Sequence, residues 1–218
     1  MTAAARAVDR DDPNLVGHGA HNRAGRNADG LAPKRIVVAY GFWIFLLSDI
    51  VMFAAFFASY AVLVDATAGG PGSHDLFDLR TAGLETALLL TSSFSCSLAS
   101  IAVGVRSKRW FYVAMAVTCV LGLGFLALEA QEFSGLVAGG NGPSRSAFLS
   151  AFFALVGCHG LHVSAGILWL LTMMAQVFAK GFRPDIERRI LCFALFWHAL
   201  DIIWVALFTS VYLMGLAT

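Results

Sequence analysis

The chain has 218 residues, 58% of them hydrophobic and 13% charged, and a net charge of +1. Soluble chains carry about 25% charged residues, so an ordinary globular domain is excluded, and so is a nucleic-acid binder, which needs a basic field for phosphates. Four cysteines (Cys96, Cys119, Cys158, Cys192) lie far apart in apolar runs with no C-x-x-C pair. That excludes a disulfide scaffold and leaves a polytopic membrane protein.

Residues 1–35 read as a mobile tail, rich in Ala, Gly, Asn, Asp and Arg and poor in large apolar side chains. The tail lacks the apolar run of about 7–15 residues that a cleaved signal peptide requires. Its His18 and His21 are expected to be solvated rather than metal-bound. Residues 36–218 read as one all-α membrane domain of five spans, each near the ~20 residues that cross the hydrocarbon. The expected spans are 36–64, 82–105, 110–133, 147–178 and 190–216, helical because a lone spanning segment must satisfy its own backbone. The longer ones are expected to tilt or to project from the bilayer. Gly69-Gly70-Pro71-Gly72 and Gly139-Gly140-Asn141-Gly142-Pro143 break the chain between spans. Ser144 or Ser146 can cap the fourth helix. No internal repeat is visible, which speaks against an inverted-repeat transporter.

Basic residues predict the orientation. Arg6, Arg10, Arg23, Arg26, Lys34 and Arg35 of the tail fall on one side, with Arg106, Lys108 and Arg109 of the second loop and Lys180, Arg183, Arg188 and Arg189 of the fourth. Only Arg80 and Arg145 fall on the other. The amino terminus is therefore expected in the cytoplasm and the carboxyl terminus outside.

Ionisable groups at bilayer depth are costly and need a reason. Counting ~1.5 Å per residue puts Asp49, His162 and Asp201 near the midplane, His159 slightly outward and His198 slightly inward. His159 and His162 share a helix face, as do His198 and Asp201. Histidine–carboxylate pairing would relieve the desolvation of both partners. We read these five as a structural polar network joining helices one, four and five. Two other readings are weaker. One is metal or haem ligation by His159, His162 and His198, although two axial haem ligands must approach from opposite faces, which two histidines on one helix face cannot do; the other is proton or ion translocation by this chain alone, since carboxylate–histidine chains in membranes serve pumps. A second group, Glu85, Glu129 and Glu132, is expected near the outer surface. Glu85 falls in a first turn that favours it and the other two at a helix end that does not. For Glu85 and Glu132 solvation and burial stay open. The Phe45, Met52, Phe53, Phe56 and Tyr60 stripe beside Asp49 reads as packing, and Gly157, Gly160 and Gly166 permit close helix approach. No catalytic centre is visible.

Four stretches carry a resemblance: GFWIFLLSDIVMFAAFFASYAVL (Gly41–Leu63), FLALEAQEF (Phe125–Phe133), AFFALVGCHGLHVSAGILW (Ala151–Trp169) and FALFWHALDIIWVALFTSVYLMG (Phe193–Gly215). On these the chain resembles subunit III of the haem–copper respiratory oxidases, and within that family the quinol-oxidising, cytochrome o branch. Five helices rather than seven, and Asp49 where cytochrome c oxidases carry glutamate, are similar to that branch. The family's Q-x-x-E-[YF] element falls on Glu129 and Glu132, with Glu129 in place of the glutamine. The resemblance implies a non-catalytic subunit without redox metal of its own, in a proton-pumping ubiquinol oxidase of an aerobic respiratory chain in a bacterial inner membrane. It implies packing on subunit I, which would hold the haems and copper, alongside subunits II and IV and membrane phospholipid held in a cleft. It also implies support of assembly, stability and proton uptake. A cytochrome c oxidase subunit III with a shortened amino terminus is the alternative, and a stand-alone haem-bearing or ion-translocating protein a more distant one.

Overall fold

The computed structural model describes residues 34–72, 76 and 78–213. The expected tail, with His18 and His21, lies outside the described residues. Val38–Thr218 is one compact unit, and of the preceding unit, Met1–Val37, the described part is the opening turn of the first helix.

Five long helices follow in order: α1 (Lys34–Leu63), α2 (Leu79–Gly104), α3 (Lys108–Ala138), α4 (Ala147–Lys180) and α5 (Pro184–Leu207), the last continuing into a π-helical turn, Phe208–Leu213. Each is long and apolar enough to cross a bilayer. The protein is an all-helical integral membrane protein.

Their ends show why these residues stop where they do. Asp78 opens α2 by accepting from the Arg80 amide at 3.0 Å. Ser146 opens α4 by accepting from the Leu149 amide at 3.2 Å, which selects it over Ser144. Pro184 opens α5 near the first helical position, where its missing N–H costs nothing. Helix α3 closes in a Schellman turn, with Asn141 N donating to Leu136 O at 2.8 Å and Gly140 in the left-handed region (φ 76°) that glycine tolerates.

Two boundaries differ by five residues or more from those read by hydropathy, and α2 begins three residues before Ala82. Helix α3 runs five residues past Phe133, and α5 begins six before Ile190. Polar turns prolong a spanning helix into the interface without changing its backbone pairing, and hydropathy does not register them.

Helices α2 and α3 make the most extensive pairing. It is built on small side chains, with Ser95 Oγ donating to Ala114 O at 2.8 Å and Thr118 Oγ1 to Ser92 O at 3.3 Å. In lipid, close approach of small residues and interhelical hydrogen bonds drive association. Helix α5 lies against α2, with Trp197 Nε1 donating to Ser92 Oγ (3.1 Å) and Trp204 Nε1 to Thr86 Oγ1 (3.0 Å). The partners ascend along α5 and descend along α2, as an antiparallel pair requires. Arg106 pairs with Glu187 at 3.5 Å, so the α2–α3 and α4–α5 loops share one end of the bundle. At the other end, Phe148 N donates to Ala66 O at 3.3 Å and joins the start of α4 to the loop after α1.

Candidate functional site

The polar residues inside the spanning helices fall into two groups. In the first, His159 of α4 is fully buried and walled by the rings of Phe53, Phe125 and Trp204, at centroid distances of 6.4, 5.6 and 5.1 Å. Its Nε2 faces Leu200 O of α5 at 3.3 Å. A carbonyl only accepts, so Nε2 carries the proton, and Nδ1, which has no partner, is the bare nitrogen. His162, one turn along, turns back on its own helix, with Nδ1 donating to Cys158 O at 2.7 Å. Its ring also packs on Phe53, at 5.3 Å.

His198 of α5 reaches α2 instead. Nδ1 lies 2.6 Å from Ser93 Oγ and Nε2 3.3 Å from Ser97 Oγ. Asp201, one turn along from His198, is half-buried and its Oδ1 has no partner. The Ser93 hydroxyl has one proton. The hydroxyl donates it to His198 Nδ1 when that nitrogen is bare and accepts from Nδ1–H when it is not. Asp49 of α1 is half-buried and lies within electrostatic reach of the Cys158 thiol. Among the described residues none of the three histidines hydrogen-bonds to it.

Sequence reasoning singled out the ionisable residues and missed the α2 hydroxyls that His198 meets. A signal was present: the run Ser92-Ser93-Phe94-Ser95-Cys96-Ser97 sets four serines in six positions of one membrane helix. Among the described residues, no group of three or more His, Cys, Asp and Glu side chains is placed to hold a metal ion.

The second group is Glu85, Glu129 and Glu132. Helix α2 begins at Leu79, so Glu85 lies in its second turn, beyond the first turn where the macrodipole acts. Because α3 continues to Ala138, Glu129 and Glu132 lie inside the helix rather than at its end. Of the two residues left open by the sequence, Glu85 is 0% exposed and Glu132 is half-buried; Glu129 is 5% exposed. The π-helical turn brings Tyr212 inward, where its hydroxyl donates to Glu132 at 3.2 Å.

The glycines of α4 receive side chains rather than backbones. A Cβ on Gly160 would lie 2.6 Å from Glu129 Oε1, and one on Gly166 would lie 2.9 Å from Trp197 Cζ3. The aromatic stripe of α1 divides. Leu46, Phe53 and Tyr60, seven apart, are buried, while Phe45 is 52% exposed.

Five antiparallel spanning helices, closed by rings, hydroxyls and buried carboxyls, define a membrane-embedded helical subunit. The chain belongs to the cytochrome c oxidase subunit III family, whose model matches residues 29–216; its members are non-catalytic subunits of haem–copper oxidases. It is 51% identical over 176 residues to the cytochrome bo(3) ubiquinol oxidase subunit 3 of Pseudomonas aeruginosa, covering 81% of this chain and 84% of that one. It is 42% identical to the quinol oxidase subunit 3 of Bacillus subtilis (81% and 86% covered) and 41% identical to the cytochrome c oxidase subunit 3 of Bacillus sp. strain PS3 (81% and 85%).

Proposed function

We propose that this chain is the non-catalytic subunit III of a quinol:oxygen oxidoreductase of a bacterial inner membrane. It packs on a subunit I that carries the haems and copper, beside subunits II and IV, and supports the complex's assembly, stability and proton uptake. The observation that carries the reading is that the bilayer-depth histidines are engaged by side chains and carbonyls of the bundle itself. His198 is taken by Ser93 and Ser97, His162 by Cys158 O and His159 by Leu200 O. His159 and His198 tie helices to one another, and the two nitrogens left bare, His159 Nδ1 and His162 Nε2, stand on one helix and so do not supply a haem with ligands from opposite faces. Asp49, His159, His162, His198 and Asp201 then serve as structural polar groups, with α2 as the helix that α5 grips.

The amino terminus faces the cytoplasm in this reading, supported by thirteen of fifteen basic residues falling on the tail and the second and fourth loops. A groove of about 420 Å³ at the end of the bundle that carries the α4–α5 loop is lined by Phe42, Trp169, Asp185, Arg188 and Arg189; Asp185 pairs with Arg188, and the net positive charge that remains suits the headgroup of a bound phospholipid. An apolar groove of about 290 Å³ between α1 and α5, lined by Trp43, Ile50 and Ile202, suits an acyl chain.

The test is purification in mild detergent through a tag on the amino terminus. Quinol-driven oxygen uptake and the optical spectrum are measured on the eluate, and again on the chain after its partners are stripped. Activity and haem that co-purify, with a colourless stripped chain, are expected. Stoichiometric haem on the stripped chain would overturn the reading. The relative from strain PS3 favours a second donor, cytochrome c, and oxygen uptake with each donor in turn separates the two.

A further inference from the structure

Glu85 reaches inward from α2, and Glu129 and Glu132 reach inward from α3. Glu85 is wholly buried and neither of its oxygens has a partner; Glu129 is 5% exposed and its Oε2 has none. The three lie close enough to repel one another electrostatically. The carboxyl of Glu129 rests on the bare Cα of Gly160, and Glu132 accepts from Tyr212.

The elements around them supply little positive charge. Helix α1 contributes the Tyr60 hydroxyl, with Asp65 after it; α2 begins with Asp78 and Arg80; α4 contributes His159 and is preceded by Arg145; α5 contributes Asp201 and the π-helical turn Tyr212. The two arginines are exposed, and neither pairs with the three carboxyls among the described residues.

A carboxylate stripped of water and counter-ion is far less favourable than the neutral acid, and adjacent like charges worsen it. The orphaned oxygens are closed off from water, and among the described residues no group of three or more His, Cys, Asp and Glu side chains is placed to hold a metal ion. What neutralises them must be smaller than water. We propose that Glu85, Glu129 and Glu132 form a proton-holding cluster with two neutral carboxyls and one negative charge, the charge resting on Glu132 beneath the Tyr212 hydroxyl. A neutral carboxyl is a donor as well as an acceptor, so protonation lets a carboxyl that has no donor beside it donate in its turn to a neighbouring acceptor. Such a cluster gains and loses protons as a unit, with titration steps that belong to the group rather than to one residue. The inference rests on burial and orphaned oxygens, and stands whichever donor feeds the complex.

The sequence makes the test clean, because the chain has only four glutamates, these three and Glu187. The full chain is labelled with ¹³C at the glutamate side-chain carboxyl and purified into lipid nanodiscs. Solid-state NMR at neutral pH then separates protonated from ionised carboxyls. Two of the four signals are expected in the protonated position, and fewer than two overturns the proposal. Glu85→Gln and Glu129→Gln should each remove one protonated signal and, since glutamine has the shape of the neutral acid, leave the unfolding midpoint in place. Loss of only ionised signals in these variants also overturns it. The wild-type spectrum decides alone if a variant fails to fold.

Discussion

Helix α1 and helix α5 are held in different ways. Only 11% of the most apolar stretch of α1 is buried, against 56% for α5. Four side-chain hydrogen bonds tie α5 to α2, through Trp197, Trp204 and both nitrogens of His198. Among the described residues no side-chain hydrogen bond links α1 to a neighbour: Ser48 and Ser59 bond back to their own helix, and the contacts across are rings, Phe42 on Trp169 and Phe53 on His159 and His162. Hydrocarbon solvates a leucine as well as a protein core does, so helices in a bilayer separate unless fit or polar pairing holds them. The bundle accordingly has a hydrogen-bonded body, α2 to α5, and one helix clasped by aromatic rings.

Trp197 tests the body most severely. Its indole lies between Gly122 and Gly166, where a Cβ would come within 3.1 and 2.9 Å, and it donates to Ser92. Trp197→Ala should destabilise by about 3–5 kcal/mol, through the void and the lost hydrogen bond to Ser92. Gly166→Ala drives a methyl into the same ring and should cost about 1–3 kcal/mol. Unfolding of the purified chain by sodium dodecyl sulfate reads both, and an unmoved midpoint for Trp197→Ala would remove the central role given to that ring.

Phe53 tests the clasp. Phe53→Ala leaves a void worth about 2 kcal/mol at ~24 cal/mol per Å³ of cavity, and the loss falls on α1 alone. Amide exchange should quicken along α1 while α2 to α5 keep their protection. Uniform quickening would mean that α1 is integral to the body.

Smaller still is the coupling across the α2–α5 seam. Ser93→Ala and His198→Ala in a double-mutant cycle should give about 0.6–1.5 kcal/mol of interaction, the range of interhelical hydrogen bonds in membranes. Ser48→Ala on α1 paired with His198→Ala should give none. A zero for the first pair would reduce the seam to packing.

How much of this was legible in the sequence follows the same division. The five spans were readable because hydropathy reports burial in lipid, and so were the ionisable residues at depth, because charge there is rare. Their partners were not. Small hydroxyl residues are common in membrane helices and satisfy themselves on the preceding turn, as Thr91 and Ser100 do here, so the serine run marks α2 but nothing in the letters separates Ser93 from its neighbours. Carboxylates drew attention as histidine partners on charge alone, whereas His198 took hydroxyls. The Glu85–Glu129–Glu132 group was visible as three acids, but helix lengths set their burial. Both α2 and α3 extend beyond their apolar runs, which moves these residues from the helix ends to the interior.

The slightest effect expected is at the start of α2. Asp78, fully exposed, accepts from the Arg80 amide and the Thr81 hydroxyl, and the amide bond foremost holds its carboxyl below the ordinary value. A carboxyl depressed in the folded state contributes stability above its unfolded value and loses it as pH falls through the folded one. The Arg80 amide should therefore exchange faster in acid than its neighbours deeper in α2, once intrinsic rates are divided out. Asp78→Asn keeps an accepting oxygen at the cap but removes the titration, so its Arg80 protection should no longer depend on pH. An acid step that persists in that variant would assign the effect to another group. In the wild type the step should stay confined to the first turn, because the hydrogen bonds and rings that hold α2 to α3 and α5 begin further along the helix.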